Sequence, residues 1–212
     1  MSNALKKRWR RLRASCEWVP FAVGLRVIPS MRRSRLLRCA RWLGCLGYAL
    51  DRRGRRVADA NLQSIYGGRL TRRRRALLLR ACYRHVARVM LDFFWFSRDG
   101  RNRLKQWSRL DPELNSWLLA HDGGIIVTGH IGNWEVAGQT AAGLGFKLTS
   151  VAKRIGRPGT THRVNHMRRQ LGQHIVMADG AARVLLRTLR EDRWVALLLD
   201  QALLADGSQL SD

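Results

Sequence analysis

The period of the hydrophobic positions changes along the chain, and that change divides it. In the first half, apolar residues recur at three- and four-residue steps. Leu36, Leu37, Trp42, Leu43 and Leu46 interleave with Arg32, Arg33, Arg35 and Arg38, the pattern of a basic amphipathic helix. Leu78, Cys82, Val86, Val89, Phe93 and Phe96 keep the same spacing and predict a second amphipathic helix with Thr71 as its N-cap. Between the two, residues 51–75 are polar and basic and break at Gly67-Gly68.

The second half reads differently. Short apolar or β-branched runs at Gly124–Thr128, Leu148–Ala152, His174–Met177 and Trp194–Leu199 predict strands. Helical patterns separate them, from Trp134 to Leu144 (ended by Gly145), Arg163 to Leu171 (ended by Gly172) and Ala181 to Leu189. A loop and a short helix through Trp117-Leu118-Leu119 occupy 99–122. Strands alternating with helices imply an α/β fold, a mostly parallel or mixed central sheet with helices on its faces. The expected organisation is a basic, helical, membrane-associating region over 1–98 and an α/β core over 99–212.

The most informative stretch is the junction after the first strand. Gly129-His130-Ile131-Gly132-Asn133 breaks the strand, and Trp134-Glu135 opens a helix. His130 therefore belongs where a strand ends and a helix begins, the usual ligand position of an open α/β sheet. Glu135 follows after four residues, a spacing that lets a carboxylate fold back across a tight turn onto the imidazole. Such a carboxylate would fix the tautomer and stabilise the protonated ring, making His130 a directed general base. A structural histidine beside an exposed helical glutamate fits the same residues. His174 and Asp179 repeat the spacing, but five steps of strand would part them by about 16 Å, too far for a second site.

Charge narrows the partners. The formal net charge is +25, carried by 40 Lys and Arg against 15 acidic residues. Such a surplus calls for a polyanion: nucleic acid, an anionic membrane surface or an acidic protein. Arginine dominates, and it matches phosphate geometry in bidentate fashion. Eight Trp residues suit a membrane–water interface as well as a core. A basic arm occupies Lys6 to Arg13, and Trp18–Leu25 is short and apolar, suited to insertion into an interface. No uncharged run approaches the roughly 20 residues needed to span a bilayer. The four cysteines form no C-x-x-C pair, which argues against a zinc site and fits a reducing compartment.

The stretch Gly129-His130-Ile131-Gly132-Asn133-Trp134-Glu135, together with Ala60-Asn61-Leu62 upstream and Asp200-Gln201 near the end, resembles the late lipid A acyltransferases. These are the lauroyl and myristoyl transferases of the lysophospholipid acyltransferase superfamily. The resemblance implies a glycerol-3-phosphate acyltransferase-like fold and transfer of an acyl chain from acyl carrier protein or coenzyme A to a hydroxyl of a lipid acceptor. It implies His130 as the base and Glu135 as its orienting partner. Gly132 and Asn133 would contribute at the substrate site. Lys153 or Arg154, past the second strand, would bind acceptor phosphate, and Arg168 occupies another recurrent basic position. Asp200 and Gln201 match a late acidic motif at the sheet rim. No resident cofactor or metal is implied. The implied location is the cytoplasmic face of the inner membrane, with anionic lipids, acyl carrier protein and the lipid acceptor as partners and no nucleic acid. The family pattern continues beyond Asp200-Gln201 with more sheet, so a shortened C-terminus is expected here. Two other readings stay open: a basic nucleic-acid-binding protein, and an inactive relative that binds lipid.

Overall fold

The computed structural model describes residues 21–155 and 158–200. The basic arm, Trp18 and Gln201 lie outside the described residues.

The helical half is organised by one close pair. Helix α1 takes in residues 21–27, α2 runs Arg33–Leu50, α3 Arg52–Tyr66 and α4 Arg72–Trp95. Arg33 meets Asp92 while Gly47 faces Tyr83, so α2 and α4 are antiparallel. Gly44 is what lets them touch: a Cβ there would sit 2.4 Å from the Arg84 Cα. Leu36 and Ala40 of α2 pack with Leu91, Trp95 and Phe96 at the C-terminal end of α4. Burial of each large side chain there contributes about 2 kcal/mol. The same cluster takes in Leu104, Val136 and Leu171, so it joins the helices to the α/β half.

The periodicity of α4 overstates its burial. Val89, Phe93 and Phe96 are in the core, but Leu78, Cys82 and Val86 of the predicted stripe are exposed. The polar segment after residue 51 is helix α3, which has no buried residue. Its start is set by the Asp51 side chain, which accepts from the Gly54 N–H at 2.8 Å. Asp59 ties it to Arg75 of α4 at 2.9 Å. The apolar stretch expected to insert into an interface is partly spent inside. Phe21 packs edge-on against Phe94, and Phe21 and Leu25 border the cluster of Phe93, Val164 and Met167.

The segment before the sheet holds two helices where one was expected, α5 over Gly100–Trp107 and α6 over Pro112–Leu119. Asp111 caps the second through the N–H groups of Glu113 and Leu114. The strands fall close to where the pattern places them: β1 Gly124–Thr128, β2 Leu148–Ala152, β3 His174–Met177 and β4 Trp194–Leu198. Helices α7 (Trp134–Gly143), α8 (Pro158–Arg169) and α9 (Ala181–Arg190) connect them. All pairings are parallel, in the order β1-β4-β2-β3. The fold is thus a small parallel four-stranded sheet flanked by helices, an α/β fold of mostly helical content.

On one face Ile126, Leu148, Trp194 and Ala196 pack against Leu118 of α6. On the other face of β1, an edge strand, Ile125 and Val127 stay open to solvent. The chain winds one way from β1 through β2 to β3 and reverses in the crossover through α9, which returns β4 to the place between β1 and β2. The carboxyl ends of β1 and β4 therefore lie side by side.

Candidate active site

The register of β1 on β4 builds the site. Gly124 pairs with Trp194 and Thr128 with Leu198, and the Leu199 N–H still reaches the Thr128 carbonyl at 3.0 Å. Carrying that register two residues further brings His130 beside Asp200. The His130 backbone N–H donates to Asp200 Oδ2 at 2.7 Å, and its Nδ1 lies 2.8 Å from Asp200 Oδ1. Gly129 makes the contact possible. A Cβ there would press on the Asp200 carboxylate at 3.1 Å.

An ionised carboxylate only accepts, so in the neutral ring Nδ1 carries the hydrogen and Nε2 the lone pair. The His130 backbone N–H, then its ring, hold the Asp200 carboxyl below the usual aspartate range. Trp134 meets the ring edge-on at 4.8 Å between centroids, on the other side of the turn. His130 and Asp200 are each about a third exposed, so the imidazole is accessible to a substrate.

Glu135 is not the partner of His130. Its carboxylate is gripped by both ends of the Arg168 guanidinium, with Nε to Oε2 at 2.9 Å. Both side chains are 14% exposed, and Arg168 also donates to Asn165 Oδ1 at 3.1 Å. The physical reason is helical geometry: Glu135 lies in the first turn of α7, and from there its side chain points across to α8 rather than back over the turn. Arg168 is accordingly tied to Glu135 and Asn165.

A second buried carboxylate fixes the turn from below. Asp92, in the C-terminal part of α4, is 2% exposed. It takes a bidentate pair from Arg33, a contact from Arg88 at 3.5 Å and the Asn133 Nδ2 at 3.0 Å. Asn133 in turn caps α7, its Oδ1 accepting from the Val136 N–H at 3.2 Å. Arg33 lies under the rings of Trp95, Phe96 and Trp107, so its charge is held in an aromatic pocket. Gly132 adopts φ +59°, a left-handed conformation that glycine takes without strain. Its carbonyl accepts from His85 Nε2 at 2.8 Å. Asp92 and His85 were missed in the sequence. A lone aspartate inside the apolar run Val89 to Phe96 was the available signal.

The family model for bacterial lipid A biosynthesis acyltransferases matches residues 4–212. The chain belongs to this family. No curated protein matches it. Membership makes the chain an acyltransferase of lipid A biosynthesis by family, and the rim of the sheet is where its expected site residues gather. His130 and Asp200 follow β1 and β4, and Lys153 and Arg154 follow β2 on the same edge of the parallel sheet. Lys153 is exposed, and Arg154 makes a solvent-facing pair with Asp179 at 3.5 Å. His174 opens β3, where its ring touches Thr149 Oγ1, while Asp179 lies past the other end of the strand. The two form no site, as the strand geometry requires. Among the described residues no group of three His, Cys, Asp or Glu side chains is placed to hold a metal ion, and no helix is long and apolar enough to cross a membrane.

Proposed function

We propose that this family member transfers a fatty acyl chain from a thioester of acyl carrier protein or coenzyme A to a hydroxyl of a lipid A-type or lysophospholipid acceptor, with His130 as general base. The observation that carries this reading is the Asp200–His130 pair, which leaves Nε2 as the free, accessible nitrogen. Nε2 takes the proton of the acceptor hydroxyl as its oxygen attacks the thioester carbonyl. The carbon–sulfur bond breaks, the ester forms, and the imidazolium returns the proton to the departing thiolate. Asp200 stabilises the imidazolium while it lasts. No covalent enzyme intermediate is required. Glu135, in this reading, acts through Arg168 by fixing the first turn of α7.

The proposed location is the cytoplasmic face of the inner membrane. The outer face of α2 supports it. Trp42, Leu43, Leu46 and Leu50 are all about half exposed or more, next to Arg35, Arg38 and Arg41. Apolar side chains beside arginines are the chemistry of an interfacial helix. The net charge of +25 suits an acidic carrier protein as donor as well as anionic lipid.

The test is acyl transfer from a labelled acyl thioester to a lipid acceptor in mixed micelles, with wild type and His130→Ala compared at equal folded concentration. Transfer by wild type and its loss in the variant are expected. Equal transfer by both would remove His130 from the chemistry. A wild type inert with every donor and acceptor, yet bound to lipid, would favour the inactive lipid-binding relative. Sequence-preferring DNA binding without vesicle binding would favour the nucleic-acid reading.

A further inference from the structure

The four-arginine groove between α2 and α4 has no place in the chemistry just described. It is a cavity of about 620 Å³ lined by Arg38 and Arg41 from α2 and by Arg84, His85 and Arg88 from α4, with Leu37 on its wall. A volume of this order holds a phosphorylated sugar or glycerol headgroup. Four arginines line it, and the acidic side chain paired with any of them is Asp92, which Arg88 shares with Arg33 and Asn133. Among the described residues Arg38, Arg41 and Arg84 have no carboxylate within ion-pair distance. Like charges gathered without a counter-charge repel one another. A fold that keeps them together has a surface built for an anion.

Three features give that anion a direction. Gly44 brings the α2 and α4 backbones together at Arg84, so the groove's arginines are presented from two helices in close contact. His85, in the groove wall, donates to the Gly132 carbonyl in the loop that carries His130. Trp42, one turn beyond Arg38 on α2, stands 78% exposed. An amphiphile with a phosphate in the groove could lay its chains along Trp42 and Leu46 and reach the rim of the sheet past His85.

We infer that the α2–α4 groove binds the phosphate monoester of a lipid headgroup and thereby seats the acceptor next to the His130 loop. The inference rests on the lipid-acceptor reading above. It assigns phosphate recognition to Arg38, Arg41 and Arg84, in addition to the Lys153–Arg154 rim to which the resemblance points. Guanidinium and phosphate meet through paired N–H···O bonds, so two such arginines removed together should weaken binding by roughly tenfold or more.

The experiment is equilibrium binding to the full chain, without acyl donor, of monomeric dihexanoyl phosphatidic acid, dihexanoyl phosphatidylcholine and inorganic phosphate. Arg41→Ala/Arg84→Ala and Arg38→Ala/Arg41→Ala are compared with Arg52→Ala/Arg53→Ala, an equal loss of charge on the exposed start of α3. Circular dichroism confirms that each is folded, and the second groove pair serves if Arg84 proves necessary for folding. Phosphatidic acid should bind, phosphatidylcholine should not. Binding should fall about tenfold or more in the groove variants and stay within about twofold in the α3 control. Equal weakening by groove and control variants would mean diffuse charge and would overturn the assignment. So would absence of phosphatidic acid binding. Inorganic phosphate that binds as tightly as the lipid, and is lost in the same variants, would identify a free-phosphate site and overturn the headgroup assignment. Because no acyl donor is present, a failure of transfer chemistry cannot be mistaken for a failure of this site.

Discussion

Two carboxylates flank the loop from Gly129 to Glu135, and they are held in opposite ways. Asp200 reaches His130 across paired strands, is over a third exposed and touches both the backbone and the ring of one residue. Glu135 is 14% exposed and locked in a two-point grip with Arg168. The accessible carboxylate therefore faces the His130 ring, and the enclosed one clamps α7 to α8. Sequence proximity selects the wrong one. Glu135 is five positions from His130 and Asp200 is seventy, yet the strand register and not the short spacing decides which carboxylate meets the imidazole.

The comparison gives graded outcomes. The largest effect is expected at the proposed base: His130→Ala should cut acyl transfer by about a thousandfold, within the range of a general base, with its thermal transition retained, as read by calorimetry. Full transfer by this variant would leave the Asp200 side of the comparison without chemistry. Removing the enclosed carboxylate falls on the fold instead. Glu135→Ala strands a largely buried guanidinium and should cost about 3 kcal/mol, seen as a lower urea midpoint. Transfer per folded molecule should stay within about tenfold of wild type. If transfer per folded molecule collapses while the midpoint holds, Glu135 serves the chemistry and the comparison is inverted.

Asn133→Ala is smaller. It loses the cap of α7 and should destabilise by about 1 kcal/mol, with a further decrement from the unpartnered side of Asp92. Asn133→Ser keeps a capping oxygen and should recover most of the cap contribution. A midpoint equal to wild type in the alanine variant would deny Asn133 its link between α4 and the loop.

The smallest effect is one of pH. Hydrogen bonds from His130 lower the Asp200 carboxyl in the folded state. Its contribution is therefore fully present above the ordinary aspartate value of about 3.9 and is lost as pH falls through the lowered folded value. The Asp51 cap follows the same sign, lowered chiefly by the Gly54 N–H and then by Tyr83. Wild type and Asp200→Asn should thus still differ in thermal midpoint at pH 5 and converge only below about 4. Convergence above pH 5 would contradict the sign.

What could be read in the sequence follows from range. The four strands were legible because a buried parallel strand is a short β-branched run, and each ran between turn residues that marked its ends. His130 was legible because a strand end followed by Gly-x-x-Gly and a helix is a local event. Helix α3 was not, because no residue of it is buried and it is fixed by polar contacts, the Asp51 cap and the Asp59–Arg75 ion pair. The exposed half of the α4 stripe shows the converse, a helical period without a core beneath it. The Asp200 contact was out of reach for a different reason. Its position depends on the offset of β1 against β4, which is settled by packing in the folded sheet.

The account turns on Asp200, and the tautomer of His130 tests it most directly. Imidazole ¹⁵N shifts, with His130 assigned by its loss in His130→Ala, report which ring nitrogen carries hydrogen. Wild type and Glu135→Ala should both show hydrogen on Nδ1 and a free Nε2, and Asp200→Ala should show a mixture of tautomers. An unchanged Nδ1–H form in Asp200→Ala, together with its loss in Glu135→Ala, would contradict the account and return the orienting role to Glu135.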